Sequence, residues 1–400
     1  MFKHKIKKEF IAQLIVNCTS RLAYLALLGY IASTAAANSP GHIEYLTLSL
    51  AASSILSFQV SPFALSVQSD TAKQFAAACN YQFWLTLCLA LLGIFLEEFL
   101  SLWRSGDKDY YLAVILTAAM LSINEITFAV NTLRERPSRA IIYYGFQSIF
   151  YIGYLSLMAL TMMSQHQICS TVSFFGLVLI TTYFLSISKG LPVDRASFFM
   201  SIKQRAKLLA CIFPAIILQP LIVLLLAKSE GPNLPASGVN FLMLLSVGGA
   251  VAFVYSNYFQ FYGRALLDEE MSSINKYTLS KRAYYNWLLL LGCGVLSIPA
   301  MLLYKFYKNH SIDSLAFIEL LATLFYAASV IRSQYFAAIF TRLNIIHYIF
   351  NANILFVAIS ALWVWLSPAR IEWALLSASV AKLIFQEGAL FKIITKIDNH

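Results

Sequence analysis

Apolar residues run through this chain in long blocks separated by short polar interruptions. A bilayer core takes about 20 residues of helix. The blocks predict twelve spanning helices, at 10–35, 43–67, 75–102, 110–132, 139–163, 167–188, 206–228, 238–262, 284–306, 314–340, 345–367 and 371–391. The segments between them are too short to form a separate domain, so the predicted class is an all-α polytopic membrane protein. A basic loop at 189–205 interrupts the series at its midpoint. It predicts two six-helix bundles, 1–188 and 206–400, joined by a cytoplasmic linker. The halves are faintly alike. With Ile43–Val67 set on Val239–Gly263, Leu46 meets Leu242, Leu48 meets Leu244, Ala52 meets Gly248 and Phe63 meets Phe259. Internal repeats of this kind are common in transporters, with the substrate site between the repeats.

Polar residues inside the blocks sharpen this picture. Arg21, Arg332 and Lys382 each fall within a predicted span. A cation in hydrocarbon costs roughly 2.5–3.5 kcal/mol even on lenient insertion scales, so such residues normally face a cavity or a partner. Three of them predict a cationic cavity that receives an anion. In helix 1, Gln13, Asn17, Arg21 and Tyr24 share one face by their spacing. Ser49, Ser53, Ser57 and Ser61 recur every fourth residue in the second span, as close-packing residues or as the lining of a wet path. Asn124, Thr127 and Asn131 share a face of the fourth span, with Glu125 beside it. Glu125 either pairs with Arg21 or loads and releases a proton during transport. Tyr143, Gln147, Tyr151 and Tyr154 line one side of the fifth span, as sugar contacts or, for Tyr143, as an interfacial belt residue. Tyr255, Asn257, Tyr258 and Gln260 repeat that mixture in the eighth. Lys382 and Gln386 share a face of the twelfth span, near Ser379 and Glu387. Pro214 and Pro220 in the seventh each remove a backbone donor, giving either a hinge or a static kink.

Composition excludes a soluble fold. The hydrophobic fraction is 59% and the charged fraction 12%, against about 45–50% and about 25% in soluble domains. The basic start runs into an apolar block too long for a signal peptide, and no cleavage motif follows. The net charge of +10 would fit nucleic acid, but the basic residues crowd into alternate loops. The intervening loops hold only Arg104, Lys108, Lys228, Lys305, Lys308 and Arg370. That asymmetry marks membrane orientation and puts both termini in the cytoplasm. No nucleic-acid partner is expected. The six cysteines form no CxxC pair, so neither a metal, a disulfide nor a cofactor is expected.

Three stretches give the chain a family likeness: Lys7–Asp70 with Ser20-Arg21, Phe259–Lys281 (FQFYGRALLDEEMSSINKYTLSK), and Arg342–Gln386. In these it resembles the Wzx-type lipid-linked oligosaccharide flippases of the multidrug/oligosaccharidyl-lipid/polysaccharide exporter superfamily. The resemblance implies two six-helix bundles around a central cavity open to one side at a time. It also implies transfer of an undecaprenyl-pyrophosphate-linked oligosaccharide between leaflets of the bacterial inner membrane, in O-antigen or lipopolysaccharide biosynthesis. The protein would act as a monomer among membrane lipids and other polysaccharide-assembly proteins. Arg21, Arg332 and Lys382 suit a pyrophosphate, and Asn17, Tyr24, Gln147 and Tyr151 suit sugar hydroxyls. The alternative is a drug or metabolite antiporter of the same superfamily. Such exporters often carry an acid in helix 1, where this chain has Arg21. A membrane polymerase is the weaker alternative. The outer loops offer no HxxD or DxD, and Asp268-Glu269-Glu270 lies in a mixed-charge inner loop, so an enzyme is not expected.

Overall fold

The computed structural model describes residues 8–38, 40–67, 71–101, 108–134, 139–160, 165–230, 241–242, 244–249, 252, 257, 314–342, 347–367 and 370–397. Every regular element among them is a helix. In chain order these are α1 (Lys8–Asn38), α2 (Pro40–Leu56), α3 (Val60–Ser66), α4 (Ala72–Ser101), α5 (Lys108–Leu133), α6 (Arg139–Leu160), α7 (Gln165–Ile187), α8 (Arg195–Glu230), α9 (Ser314–Arg342), α10 (His347–Leu366) and α11 (Ile371–Ile397). Residues 244–249 are helical too, within the expected span 238–262. The span expected at 284–306, Tyr255, Tyr258, Gln260 and the stretch Phe259–Lys281 lie outside the described residues. Six of the helices are long and apolar enough to cross a membrane.

The chain divides into two compact units, Ile11–Ala210 and Cys211–His400, the latter taking in Met1–Phe10. In the first unit α5 is the central helix. About 83% of the most apolar 18-residue stretch of its span is buried, against 28–33% for the corresponding stretches of α1, α4, α6 and α7. Ala113, Ala118, Ala119 and Ala129 keep its surface small, which lets α2, α4 and α7 approach closely. Large apolar side chains of the outer helices, such as Leu91 and Phe95 of α4 and Phe174 and Phe175 of α7, point outward and are exposed.

The second expected span is not one helix. α2 ends at Leu56 and α3 begins at Val60. Between them Phe58 and Gln59 take positive φ, 47° and 53°, a conformation costing about 1–2 kcal/mol per residue for non-glycine side chains. Pro62 explains part of the break. It has no N–H to return to the Phe58 carbonyl, so the helix cannot run on undisturbed. The serine row is therefore split, with Ser49, Ser53 and Ser57 leading to the break and Ser61 on α3.

The loop before α8 is tied down on the first unit. Asn80 Nδ2 donates to the Leu191 carbonyl at 3.0 Å, and the Asp194 N–H donates to the Ala77 carbonyl at 3.4 Å. Gly190, at φ +78°, makes the turn. Asp194 caps α8: the Ser197 N–H donates to Oδ1 at 3.0 Å and the Ser197 hydroxyl to Oδ2 at 2.6 Å. Those donors hold the Asp194 carboxyl below its ordinary pKa. α8 then runs through the division between the units at Ala210/Cys211. The Ala210 carbonyl is the one that Pro214 cannot bond.

In the second unit α9, α10 and α11 pack together around Ala322, Phe356, Val364, Ala374, Leu375 and Ala378. Gly248 permits close approach to α9. A Cβ there would stand 2.6 Å from Tyr326 Cδ1 and 3.1 Å from the Thr323 carbonyl oxygen.

Candidate substrate and ion sites

The polar faces of α1 and α6 meet in the first unit. Val16 lies against Gly145, Ser20 Oγ donates to Gln147 Oε1 at 3.5 Å, and the Tyr24 and Tyr151 rings stand 5.0 Å apart. Arg21 is half-buried, and its charge lies beside both tyrosines. Asn17 is 1% exposed, and neither its amide oxygen nor its nitrogen has a hydrogen-bond partner among the described residues. Arg21, Tyr24, Gln147 and Tyr151, read separately from two helices, are therefore brought together, with Asn17 on the same side of α1. Tyr154, on the same side of α6, goes elsewhere. It stacks on Tyr45 and accepts from Cys169 Sγ at 3.1 Å.

Glu125 projects from α5 into this unit. Its carboxylate accepts from the Ser61 hydroxyl and from the Tyr143 hydroxyl at 3.0 Å. Ser61 also donates to the Glu125 carbonyl at 3.3 Å. Asn124 Nδ2 steadies the Tyr143 backbone by donating to its carbonyl at 3.1 Å. The expected pairing of Glu125 with Arg21 is not seen; two neutral hydroxyls hold the carboxylate instead. Tyr143 is an internal ligand of that carboxylate, not a belt residue. Sequence spacing found Asn124, Glu125 and Tyr143 but could not supply Ser61, which reaches Glu125 only because α3 departs from the line of α2.

Arg332 and Lys382 lie in the second unit. Arg332 is fully buried, and its Nε stands 2.6 Å from Glu387 Oε1. Glu387 is thus the ion-pair partner of Arg332. Gln386 Nε2 donates to Ser333 Oγ at 3.0 Å. Both line a small pocket with Tyr348, Asn353 and Phe385. Asn353 in turn donates to the Cys211 carbonyl at 3.1 Å. Lys382 is 8% exposed, and its ammonium sits 5.2 Å from the Phe356 ring centroid. No carboxylate pairs with it among the described residues. Pro214 is buried within α8, and Pro220 lies in the same helix. Asn257 is buried.

The sequence missed Arg205, which it placed among the basic loop residues. Arg205 is fully buried. It donates from Nε to the Phe58 carbonyl at 3.1 Å and from Nη2 to the Ser57 carbonyl at 2.9 Å and Gln82 Oε1 at 2.6 Å.

No protein-family model matches this sequence, and no curated protein matches it. Solved structures do. The chain is similar to a mutant of a MATE transporter (9% identity, 100% of this chain and 98% of that one, TM-score 0.64). It is also similar to the MATE multidrug transporter DinF-BH, solved as a complex (12%, 98% and 97%, TM-score 0.61). A third is an outward-facing multidrug resistance MATE family transporter of the MOP superfamily (10%, 99% and 97%, TM-score 0.59). The fold is therefore the all-helical fold of the MATE transporters, and the chain has the architecture of a multi-pass membrane protein.

Proposed function

We propose that this chain is an ion-coupled exporter working by alternating access, with Glu125 as its coupling carboxylate. The observation that carries the reading is the Glu125 site itself: a carboxylate inside the bundle, held by Ser61 and Tyr143 and ion-paired with no cation among the described residues. Glu125 is half-buried, and a carboxylate partly withdrawn from water with only hydroxyl partners holds its charge at a cost, so a proton or a small cation is its natural occupant in at least one stage of a cycle. The likeness to multidrug MATE transporters supports small amphiphiles, drugs or metabolites, as the cargo. The test is a dye-efflux assay in proteoliposomes under an imposed pH gradient. Glu125→Gln should lose gradient-driven efflux while Glu125→Asp keeps part of it. Wild-type efflux indifferent both to the pH gradient and to an imposed sodium gradient would end the proposal.

A second reading, transfer of a lipid-linked pyrophosphate oligosaccharide from the cytoplasmic to the periplasmic leaflet, is favoured by Lys382. A buried ammonium over an aromatic ring, with no carboxylate partner among the described residues, suits an anionic group, and the tyrosines and amides of α1 and α6 suit sugar hydroxyls. Its test is transbilayer movement of a polyprenyl-pyrophosphate glycan in the same vesicles. Movement abolished by Lys382→Glu and kept by Lys382→Arg would select this reading over drug export.

A further inference from the structure

We propose that Arg205 is a positioning residue for Glu125: it fixes the break between α2 and α3 that carries Ser61 onto the carboxylate. The inference deepens the coupling role given to Glu125 and rests on it for its functional consequence.

The geometry starts from unsatisfied carbonyls. A helix end leaves its last carbonyls without intrahelical donors and partly negative. At the end of α2 the Ser57 carbonyl keeps one turn bond, from the Val60 N–H at 3.1 Å, and side chains from other helices supply further donors to Leu56, Ser57 and Phe58. Gln82 of α4 donates from Nε2 to Ser57 at 2.8 Å and to Leu56 at 3.4 Å. Arg205 takes Ser57 again and then Phe58, the carbonyl that Pro62 leaves free. Its planar fork reaches two successive carbonyls and the Gln82 amide oxygen at once, which a lysine ammonium cannot match in geometry. The Phe75 and Phe198 rings lie 5.6 and 5.8 Å from the guanidinium carbon, closing it from water.

The consequence is registered on Ser61. A helix continuing from α2 would keep Ser61 in the row of Ser53 and Ser57. Two left-handed residues break that row, and α3 starts on a new line from which Ser61 bonds both the carboxylate and the carbonyl of Glu125. The left-handed pair is unfavourable by itself, so the arrangement needs outside donors; Arg205 supplies two hydrogen bonds to the break and a third to Gln82, the other outside donor. The titratable groups around Glu125 are Tyr143, with Tyr144 and Tyr151 behind it on α6, and Arg21 and Tyr24 of α1 beside Tyr151. Cys79 of α4 lies near Arg205 itself. Tyr45 of α2 and Cys169 of α7 belong to the separate Tyr154 group.

The test is disulfide trapping in a background without the six native cysteines. Ser61→Cys with Glu125→Cys reports the position of α3 on α5. Thr117→Cys with Ser173→Cys, which replaces the contact between α5 and α7, is the control. Arg205→Gln should slow oxidative cross-linking of the first pair at least tenfold and leave the second unchanged, with Arg205→Lys intermediate. An unchanged first pair overturns the proposal, and so does an equal loss in both pairs, which would mean general collapse of the unit. In the otherwise native protein, Arg205→Gln should displace the pH profile of efflux as Ser61→Ala does, and the double variant should add nothing. A pH profile untouched by Glu125→Gln would sink the coupling role alone, leaving the cross-linking result to judge Arg205.

Discussion

Arg332 Nε stands 2.6 Å from Glu387 Oε1, so the cation of α9 is joined to the carboxylate of α11 within one unit. The guanidinium is fully enclosed, and the glutamate side chain keeps 34% of its exposure. Breaking a fully buried pair by removing one partner costs about 3–5 kcal/mol. With one side partly solvated, Arg332→Met or Glu387→Leu alone should cost on the order of 2 kcal/mol, and the double substitution much less. Thermal unfolding of the four proteins in one detergent would show it. Additive losses in the double variant would mean that the two residues do not act as a pair.

Much of the fold was legible because hydrophobic blocks of bilayer length have few alternatives to helix. The polar faces of α1 and α6 were legible for the same reason, since helical spacing places Asn17, Arg21 and Tyr24, and likewise Gln147 and Tyr151, in rows. Three features were not. The Glu125 and Arg332 partners come from other helices, and spacing within a helix says nothing about which neighbour arrives. Arg205 looked like one more basic residue of an inner loop, because the count of charges that fixes orientation treats all loop cations alike. The break at 57–59 had a signal, Pro62 inside an expected span, which the unbroken apolar run concealed.

Tyr143 donates to Glu125 at 3.0 Å. A hydrogen bond to a charged group is worth about 1.5–3 kcal/mol, the equivalent of about one to two pH units in a titration. Tyr143→Phe should therefore move the midpoint of pH-dependent efflux by about that much without lowering protein abundance in the membrane. A midpoint within a few tenths of a pH unit of wild type would remove Tyr143 from the ion site.

Asp194 gives a pH effect outside the membrane. Its folded carboxyl titrates below its ordinary value because Ser197 donates to both oxygens. The sign follows from linkage: the ionised form stabilises the start of α8 above the unfolded pKa of about 3.9, and that contribution is lost as pH falls through the folded value. Amide exchange in residues 195–198 should accelerate relative to the intrinsic rate as pH falls below about 4. Asp194→Asn should flatten that dependence, while exchange at the centre of α5 stays unchanged.

Pro214 separates a hinge from a static kink. It sits in an unbroken α8, one turn beyond the division between the units. Pro214→Ala would restore the bond to the Ala210 carbonyl and relieve a helix penalty of about 3 kcal/mol. If bending at this point belongs to the cycle, the variant should unfold at a higher temperature yet turn over more slowly, with substrate affinity unchanged. Unaltered turnover would assign the proline to shape alone.

Lys382 offers the sharpest contrast between a structural and a functional role. Its ammonium is 8% exposed and faces the Phe356 ring, with no carboxylate partner among the described residues. A cation–π contact returns about 0.5–2 kcal/mol, less than the several kcal/mol needed to bring an ion out of water. Such a cost points to a charge that is used. Lys382→Met preserves length and apolar volume while removing the charge. It should raise thermal stability by on the order of 1 kcal/mol and abolish transport of an anionic substrate, the usual opposition between stability and activity at a functional position. If Lys382 serves packing, the same variant should be no more stable than wild type and should transport normally. Measuring unfolding and transport on one preparation distinguishes the two, because only a working cation predicts opposite signs.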